Sequence, residues 1–472
     1  MKKIRPWLWL LPILLCTACG AFLQQSGVKN YKPTLRIPSG TLNNYQYDLR
    51  YLHRLLESAY PQLDEVWLPE ARAISFNEAV SALDGSQNTR PDFELQARRL
   101  LGTLNNQHTN IWFEEPQPEA IYPFTVFYSS GDWYLANIDR AQDSLLIGQR
   151  IVSLNGTSVQ MIAGLLQPFT LQENEIAQLK AVQRMALLSR PRYLKAIGLL
   201  GSTEDPLKVK LENGRMVELY KTPFGKLELY RFAFKNNPLT VRRRSTYDYN
   251  VFPSLGLAYL QFNAMHDKID LLDGIGSYVK PWLQPVARGY VKRQFKKEKP
   301  SERIAGFYNK TYPVFQEMIH EMIDSLNRSG IDNLVIDLRN NNGGNLTLGI
   351  QLLYFLTENK QIKNFKEYAW TSPVYKAYFP EGYKKIKEKM GEVPEEELVL
   401  LTPSNNAFTE VVNATSQYHV KADRPVFKGK VYILAHYNTG SAAAMLTTLA
   451  QDNDLATTIG TSVGNNPTGA TT

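Results

Sequence analysis

Apolar residues recur at helical spacing from Tyr45 to Leu104. In YDLRYLHRLLESAY, Leu49, Leu52, Leu55 and Leu56 share one face, and in PDFELQARRLLGTL, Phe93, Ala97, Leu100, Leu101 and Leu104 do the same. Pro91 suits the first turn of that second helix. From Pro123 to Lys221 the pattern shortens to alternating segments, FTVFY, DWYLANI and PLKVKLENGRMVELYK, which predict strands. Asn213-Gly214 is a hairpin turn signal, and one helix is predicted over Glu173 to Met185. After Leu255, continuous apolar runs alternate with amphipathic ones. LGLAYLQF, NLVIDL, KVYILAH and ATTIG predict strands. Phe315 to Asn327 (stripe Phe315, Ile319, Met322, Ile323, Leu326, stop at Gly330), LTLGIQLLYFL and Ser441 to Ala450 predict helices. Apolar strands separated by helices predict an α/β sheet covered on its faces. Lys366 to Lys421 fits neither period.

The first residues change the picture at one end. Lys2, Lys3 and Arg5 precede PWLWLLPILL, an apolar stretch short for a membrane span. It runs into CTAC, a small-residue site before Cys19, similar to the lipobox of bacterial lipoproteins, with Cys16 where leucine is usual. The resemblance implies lipidation at Cys19 and a place in the bacterial cell envelope; a plain cleaved signal and an uncleaved anchor stay open. Each buried acyl methylene would contribute about 0.8 kcal/mol to anchoring. Residues 23–40 are polar and read as a tether. Cys16 and Cys19 are the only cysteines, so the remainder of the chain has no disulfide, thiol nucleophile or cysteine metal site. Without the three basic signal residues the formal charge of +8 falls to +5, and much of that excess sits in KRQFKKEKPSER, Lys292 to Arg303, a solvated face or a patch for anionic lipid or an acidic partner. Nothing else points to nucleic acid.

Two glycine-bearing turns carry the candidate chemistry, each directly after an apolar strand: NLVIDLRNNNGGN and KVYILAHYNTGSAAA. Backbone amides at such turns lack a strand partner and can face a developing negative charge. Gly343 and Gly344 allow a carbonyl to approach the main chain closely. Ser441 heads a helix, whose positive end favours an alkoxide or oxyanion. Serine is equally a favoured N-cap, worth ~1 kcal/mol, and NNNGG suits an ordinary strand-to-helix loop. Each turn alone leaves both readings open.

Taken together, the turns resemble those of the serine peptidases that include the carboxy-terminal processing (tail-specific) peptidases and the tricorn core. Asp337, Leu338, Arg339, Asn341, Gly343 and Gly344 match one motif of that family, and Thr439, Ser441 and Ala442 the other. The run SLLIGQRIVSLNGTSV similarly resembles a PDZ domain, which binds extended peptide ends at a sheet edge. The resemblance implies an α/β protein: an N-terminal helical segment (41–115), a PDZ-like β-rich domain (120–222) and a crotonase-like peptidase core (250–472). Insertions fall at about 280–303 and 366–421, behind a signal peptide (1–18) and the tether (19–40). It also implies Ser441 as nucleophile, an oxyanion hole from the Ala442 amide with that of Gly343 or Gly344, and Asp337 and Arg339 as turn-holding residues.

The base is implied less directly. Processing peptidases use a lysine in a Gly-Lys turn after the serine, but IGTSVGNNPTG contains none. The tricorn-like branch uses a histidine after a helix ending Leu-Leu-x-x-Leu, and LLGTLNNQHTN places His108 there. His108 then accepts the serine proton at neutral pH. Asn106 and Gln107 replace the family's Asp-Gly, and Ala444 stands where many relatives have glutamate. No residue orienting His108 is identifiable; either a carboxylate follows beyond Thr472 or the site lacks one. His436 lies near Ser441 without a family counterpart. His53, His266, His320 and His419 are scattered without metal-ligand spacing, so no metal or cofactor is expected. The expectation is a membrane-anchored serine endopeptidase acting on extended or unfolded polypeptides through an acyl-enzyme. The alternative is a catalytically inactive, peptide-binding envelope lipoprotein of the same fold.

Overall fold

A computed structural model describes residues 42–85, 88–111, 119–231, 246–295, 313–359, 361–402 and 406–464. The signal-like segment with Cys19, the tether, most of the basic run and residues 465–472 lie outside the described residues. No helix among the described residues is long and apolar enough to cross a membrane.

The N-terminal segment is helical, as the periodicity predicts: α1 (Asn44–Ala59), α2 (Leu63–Val66), α3 (Pro69–Ser81) and α4 (Arg90–Gly102). Asn43 and Gln46 cap α1 reciprocally, each side chain accepting from the other's amide at 3.0 Å. Leu49, Leu56, Phe76, Ala97, Leu100 and Leu101 bury between these helices. Pro91 occupies the first turn of α4. Its last residue has to be small: a Cβ on Gly102 would stand 1.5 Å from the Pro168 carbonyl oxygen. That contact seats the end of α4, and the loop carrying His108, against the next unit.

This unit is rich in short antiparallel strands. It comprises β1 (Phe124–Ser129), β2 (Asp132–Asp139), β3 (Ile151–Leu154), β4 (Thr157–Ser158), α5 (Val159–Leu166), α6 (Glu175–Arg184), α7 (Pro191–Ala196), β5 (Leu207–Leu211), β6 (Met216–Leu219) and β7 (Leu229–Arg231). Two sheets, β1-β2-β7 and β4-β3-β5-β6, enclose Trp133, Phe124, Leu154, Ile162 and Val182. The helix expected from Glu173 begins two residues later. Asn174 accepts the Ala177 amide at 2.9 Å and caps α6, leaving Glu173 ahead of the helix.

The third unit is the α/β core. Its elements are β8 (Tyr247–Phe252), β9 (Leu257–Phe262), α8 (Lys268–Tyr278), α9 (Gln284–Phe295), α10 (Phe315–Arg328), β10 (Asn333–Asp337) and α11 (Leu346–Tyr354). They continue with β11 (Glu367–Trp370), α12 (Pro373–Tyr378), α13 (Pro380–Met390), β12 (Leu398–Thr402), α14 (Asn406–Val412), β13 (Lys430–Ala435), α15 (Ala442–Asp452) and β14 (Thr457–Gly460). The sheet runs β14-β13-β10-β9-β8, parallel from β14 to β9 with β8 as an antiparallel edge. The apolar stripe of α10 is fully buried against Leu260, Phe262, Leu334 and Ile336; each such side chain contributes about 1.5–3 kcal/mol. The stretch after Lys366 forms the two-stranded sheet β11-β12 with three short helices. The parallel order puts the ends of β10 and β13 side by side, so the turns that follow them meet.

Candidate active site

The turns after β10 and β13 are joined by main-chain and side-chain bonds. The Leu338 amide donates to the Leu434 carbonyl at 2.9 Å, and the Gly440 amide to the Asn341 carbonyl at 3.0 Å. Thr439 donates its hydroxyl to the Leu338 carbonyl at 2.8 Å and accepts the His436 amide at 2.9 Å. Asn341, fully buried, donates to the Phe262 carbonyl at 2.9 Å and accepts the Gly343 amide at 2.8 Å. Asp337 and Arg339 form a paired fork, with Arg339 Nε and Nη2 2.9 and 2.7 Å from the two carboxylate oxygens, and Tyr259 also donates to Asp337. Burial pushes the Asp337 carboxyl up, but the bonds from Arg339 and Tyr259 outweigh it and hold the group below its ordinary value. Both residues hold the turn, the role expected for them.

Ser441 departs from ordinary capping geometry. Its backbone sits at φ +48°, ψ −127°, and its side chain makes no capping hydrogen bond to α15. A non-glycine residue there carries strain of about 1–3 kcal/mol.

The diglycine packs directly on this turn. A Cβ on Gly343 would lie 2.8 Å from the Gly440 carbonyl oxygen, 2.8 Å from Ser441 Cβ and 2.9 Å from the Ala442 nitrogen. Gly343 and Gly344 take φ of +104° and +132°, conformations that favour glycine. Of the two candidate amides, that of Gly343 is spent on Asn341. The Gly343 carbonyl accepts the Met265 amide at 3.0 Å and the Met265 carbonyl accepts the Asn345 amide at 2.8 Å. That parallel bridge leaves the polar groups of Gly344 facing the other way. That leaves the Gly344 amide, and the Ala442 amide at the first position of α15, as the candidate donors near Ser441.

His108 follows α4. The Asn106 side chain accepts the His108 amide at 2.9 Å and so closes the turn that leads into His108. Glu173, nearly fully buried, places Oε1 3.9 Å from His108 Nδ1 and accepts the Gln107 amide at 3.4 Å. Its neighbour Asn174 donates to the Val463 carbonyl at 2.9 Å, and the Gly464 amide donates to Thr439 at 2.8 Å. This chain of contacts ties the His108 loop to the turn that carries Ser441. Burial lowers the His108 imidazole below its ordinary value and keeps it neutral near pH 7.

Sequence reasoning passed over two carboxylates beside histidines. Glu173 comes from the β-rich unit, and no spacing relates it to His108. His266 and Asp270 do stand at helical i,i+4 spacing, the one signal available. His266 Nδ1 lies 2.6 Å from Asp270 Oδ2, and the Gly344 Cβ position lies 2.9 Å from His266 Nε2. Burial and the nearby Lys180 and Arg339 cations push His436 down to about 4, which makes it a weaker base than an ordinary imidazole. Lys180 itself lies 4.5 Å from the centre of the Tyr437 ring and 4.8 Å from that of Phe127, with burial lowering it to about 8. Among the described residues no group of side chains is arranged to hold a metal ion.

Residues 303–472 match the family model described as Peptidase family S41. Among solved structures, the chain is similar to mature CPAF complexed with lactacystin, at 17% identity over 89% of this chain and 84% of that one, with a TM-score of 0.51. It is also similar to mature CPAF (16% identity, 89% and 83% covered, TM-score 0.48) and to the photosystem II D1 C-terminal processing protease (11% identity, 89% and 82% covered, TM-score 0.30). The first of these shows a shared fold. Among curated proteins none matches this chain.

Proposed function

From the match of residues 303–472 to the model of peptidase family S41, we propose that the chain is a serine-type endopeptidase with Ser441 as nucleophile and His108 as base. The Ser441 hydroxyl attacks the scissile carbonyl while His108 takes its proton. The oxyanion of the tetrahedral intermediate lies between the Ala442 and Gly344 amides. The imidazolium then protonates the leaving amine, and an acyl-enzyme forms. Water, deprotonated by the same imidazole, releases the new carboxyl terminus. Glu173 takes the orienting place that the sequence left empty.

One observation carries this reading: Ser441 holds a strained backbone without capping its helix, directly against the diglycine turn. A fluorophosphonate probe tests it. Full-length protein is expected to label, Ser441→Ala not at all, and His108→Ala at least 100-fold more slowly. No labelling of the full-length protein at any pH would leave a peptide-binding protein without catalysis.

The substrate reading is an extended or unfolded polypeptide. It rests on the resemblance of residues 120–222 to a PDZ domain, supported by the strand, Asn155-Gly156 turn and strand found there. Lipidation at Cys19 and residence in the bacterial envelope rest on the amino-terminal pattern alone. Radiolabelled palmitate incorporated by the wild type and lost in Cys19→Ser is the expected result.

A further inference from the structure

A histidine–carboxylate pair beside the diglycine turn is left unused by this mechanism. His266 is fixed on both sides in sequence. Met265 before it forms the bridge to Gly344, and Asp267 after it is buried, accepting the Ile269 and Asp270 amides at 2.8 and 3.0 Å and the Phe315 amide at 3.0 Å. The ring is fixed as well. Asp270 Oδ2 holds Nδ1 at 2.6 Å, and Asp270 Oδ1 accepts from Asn345, the residue after the diglycine, at 3.0 Å. A carboxylate on Nδ1 selects the tautomer with its proton there, which leaves the Nε2 lone pair as an acceptor. That atom lies where a Cβ of Gly344 would point, and it enters no hydrogen bond among the described residues. The side chain remains 37% exposed, so the acceptor is both oriented and reachable. An extended polypeptide presents carbonyls and N–H groups in alternation. One whose carbonyl lies on the Gly344 amide therefore brings a donor near an acceptor held against the same glycine.

We propose that His266 is a substrate-contact residue, its Nε2 accepting a backbone N–H of the bound polypeptide beside the scissile carbonyl. The inference rests on the site proposed above, but its test does not require turnover. Binding of fluorescein-labelled casein is measured by anisotropy in the Ser441→Ala background. Adding His266→Ala is expected to weaken binding about tenfold, the 1.4 kcal/mol of one hydrogen bond. Adding His266→Gln, which restores an acceptor, is expected to recover binding to within about threefold of the parent. Urea midpoints of the three proteins check that each is folded, and His266→Phe, which keeps the ring volume without the acceptor, should behave as alanine does. Unchanged casein binding in His266→Ala and His266→Phe overturns the proposal. Loss of fluorophosphonate labelling in His266→Ala to the extent expected of His108→Ala would make His266 the base and overturn the proposal. Normal labelling of His108→Ala would sink the base assigned above while the casein measurement still decides His266.

Discussion

At the scale of single residues, Ser441 and Asp337 do opposite things to stability. Ser441 holds φ +48°, which glycine adopts freely and serine does not. Ser441→Gly is therefore expected to raise the melting temperature by the equivalent of about 1 kcal/mol, part of the strain relief being offset by the greater freedom of unfolded glycine. Ser441→Ala keeps a Cβ and is expected to melt with the wild type, although both variants lose labelling. Differential scanning calorimetry that ranked glycine below alanine would show the turn to be unstrained. Asp337 is the stabilising case. It accepts from Arg339 and Tyr259 in a buried position, and Asp337→Asn is expected to cost about 2 kcal/mol in urea denaturation. Its carboxyl is held below the ordinary 3.8, so this contribution is present above the unfolded value and is lost as pH falls through the lower folded one.

At the scale of elements, the site is the meeting of two turns, which makes Gly343 the critical spacer. A Cβ there meets the Gly440 carbonyl oxygen and Ser441 Cβ, both at 2.8 Å, at a φ that already disfavours a side chain. Gly343→Ala is expected to cost about 2 kcal/mol or more and to lower fluorophosphonate labelling by at least ~100-fold, because separating the turns displaces the Ala442 and Gly344 amides from a common oxyanion. Labelling at the wild-type rate would show that the turns act independently. Much at this scale was legible in the sequence. The α10 stripe and the apolar runs of β9, β10 and β13 follow from period alone, since each is buried by the face its spacing implies. Three things were not. β8 is an edge strand whose alternating Tyr247, Tyr249 and Val251 face the core, but two tyrosines and one valine among Thr, Asp and Asn make a weak apolar signal. The stretch after Lys366 forms a small sheet and short helices, each too brief to set a period. Glu173 and the Gly344 neighbour His266 gain their meaning from residues far away in the chain, which local pattern does not encode.

At the scale of the whole molecule, the proposed site draws on all three units: His108 from the loop after α4, Glu173 from the β-rich unit, and Ser441 from the α/β core. Gly102 packed on Pro168 and Asn174 bonded to Val463 are the joints that hold this arrangement. The pH dependence of acylation tests whether the joints deliver His108 as the base. A base has to be neutral to accept the serine proton, and burial disfavours the imidazolium of His108. The labelling rate should therefore rise with pH along a single acid limb whose midpoint lies below the ordinary imidazole value of 6.5. Glu173 works in the other direction, since a carboxylate 3.9 Å from Nδ1 favours the imidazolium that forms as Ser441 attacks. Glu173→Gln should slow labelling about tenfold and move the midpoint lower still. His108→Ala should remove the limb altogether. A midpoint above 6.5, or a limb that survives the loss of His108, would place the titrating group elsewhere and detach the N-terminal helices from the chemistry.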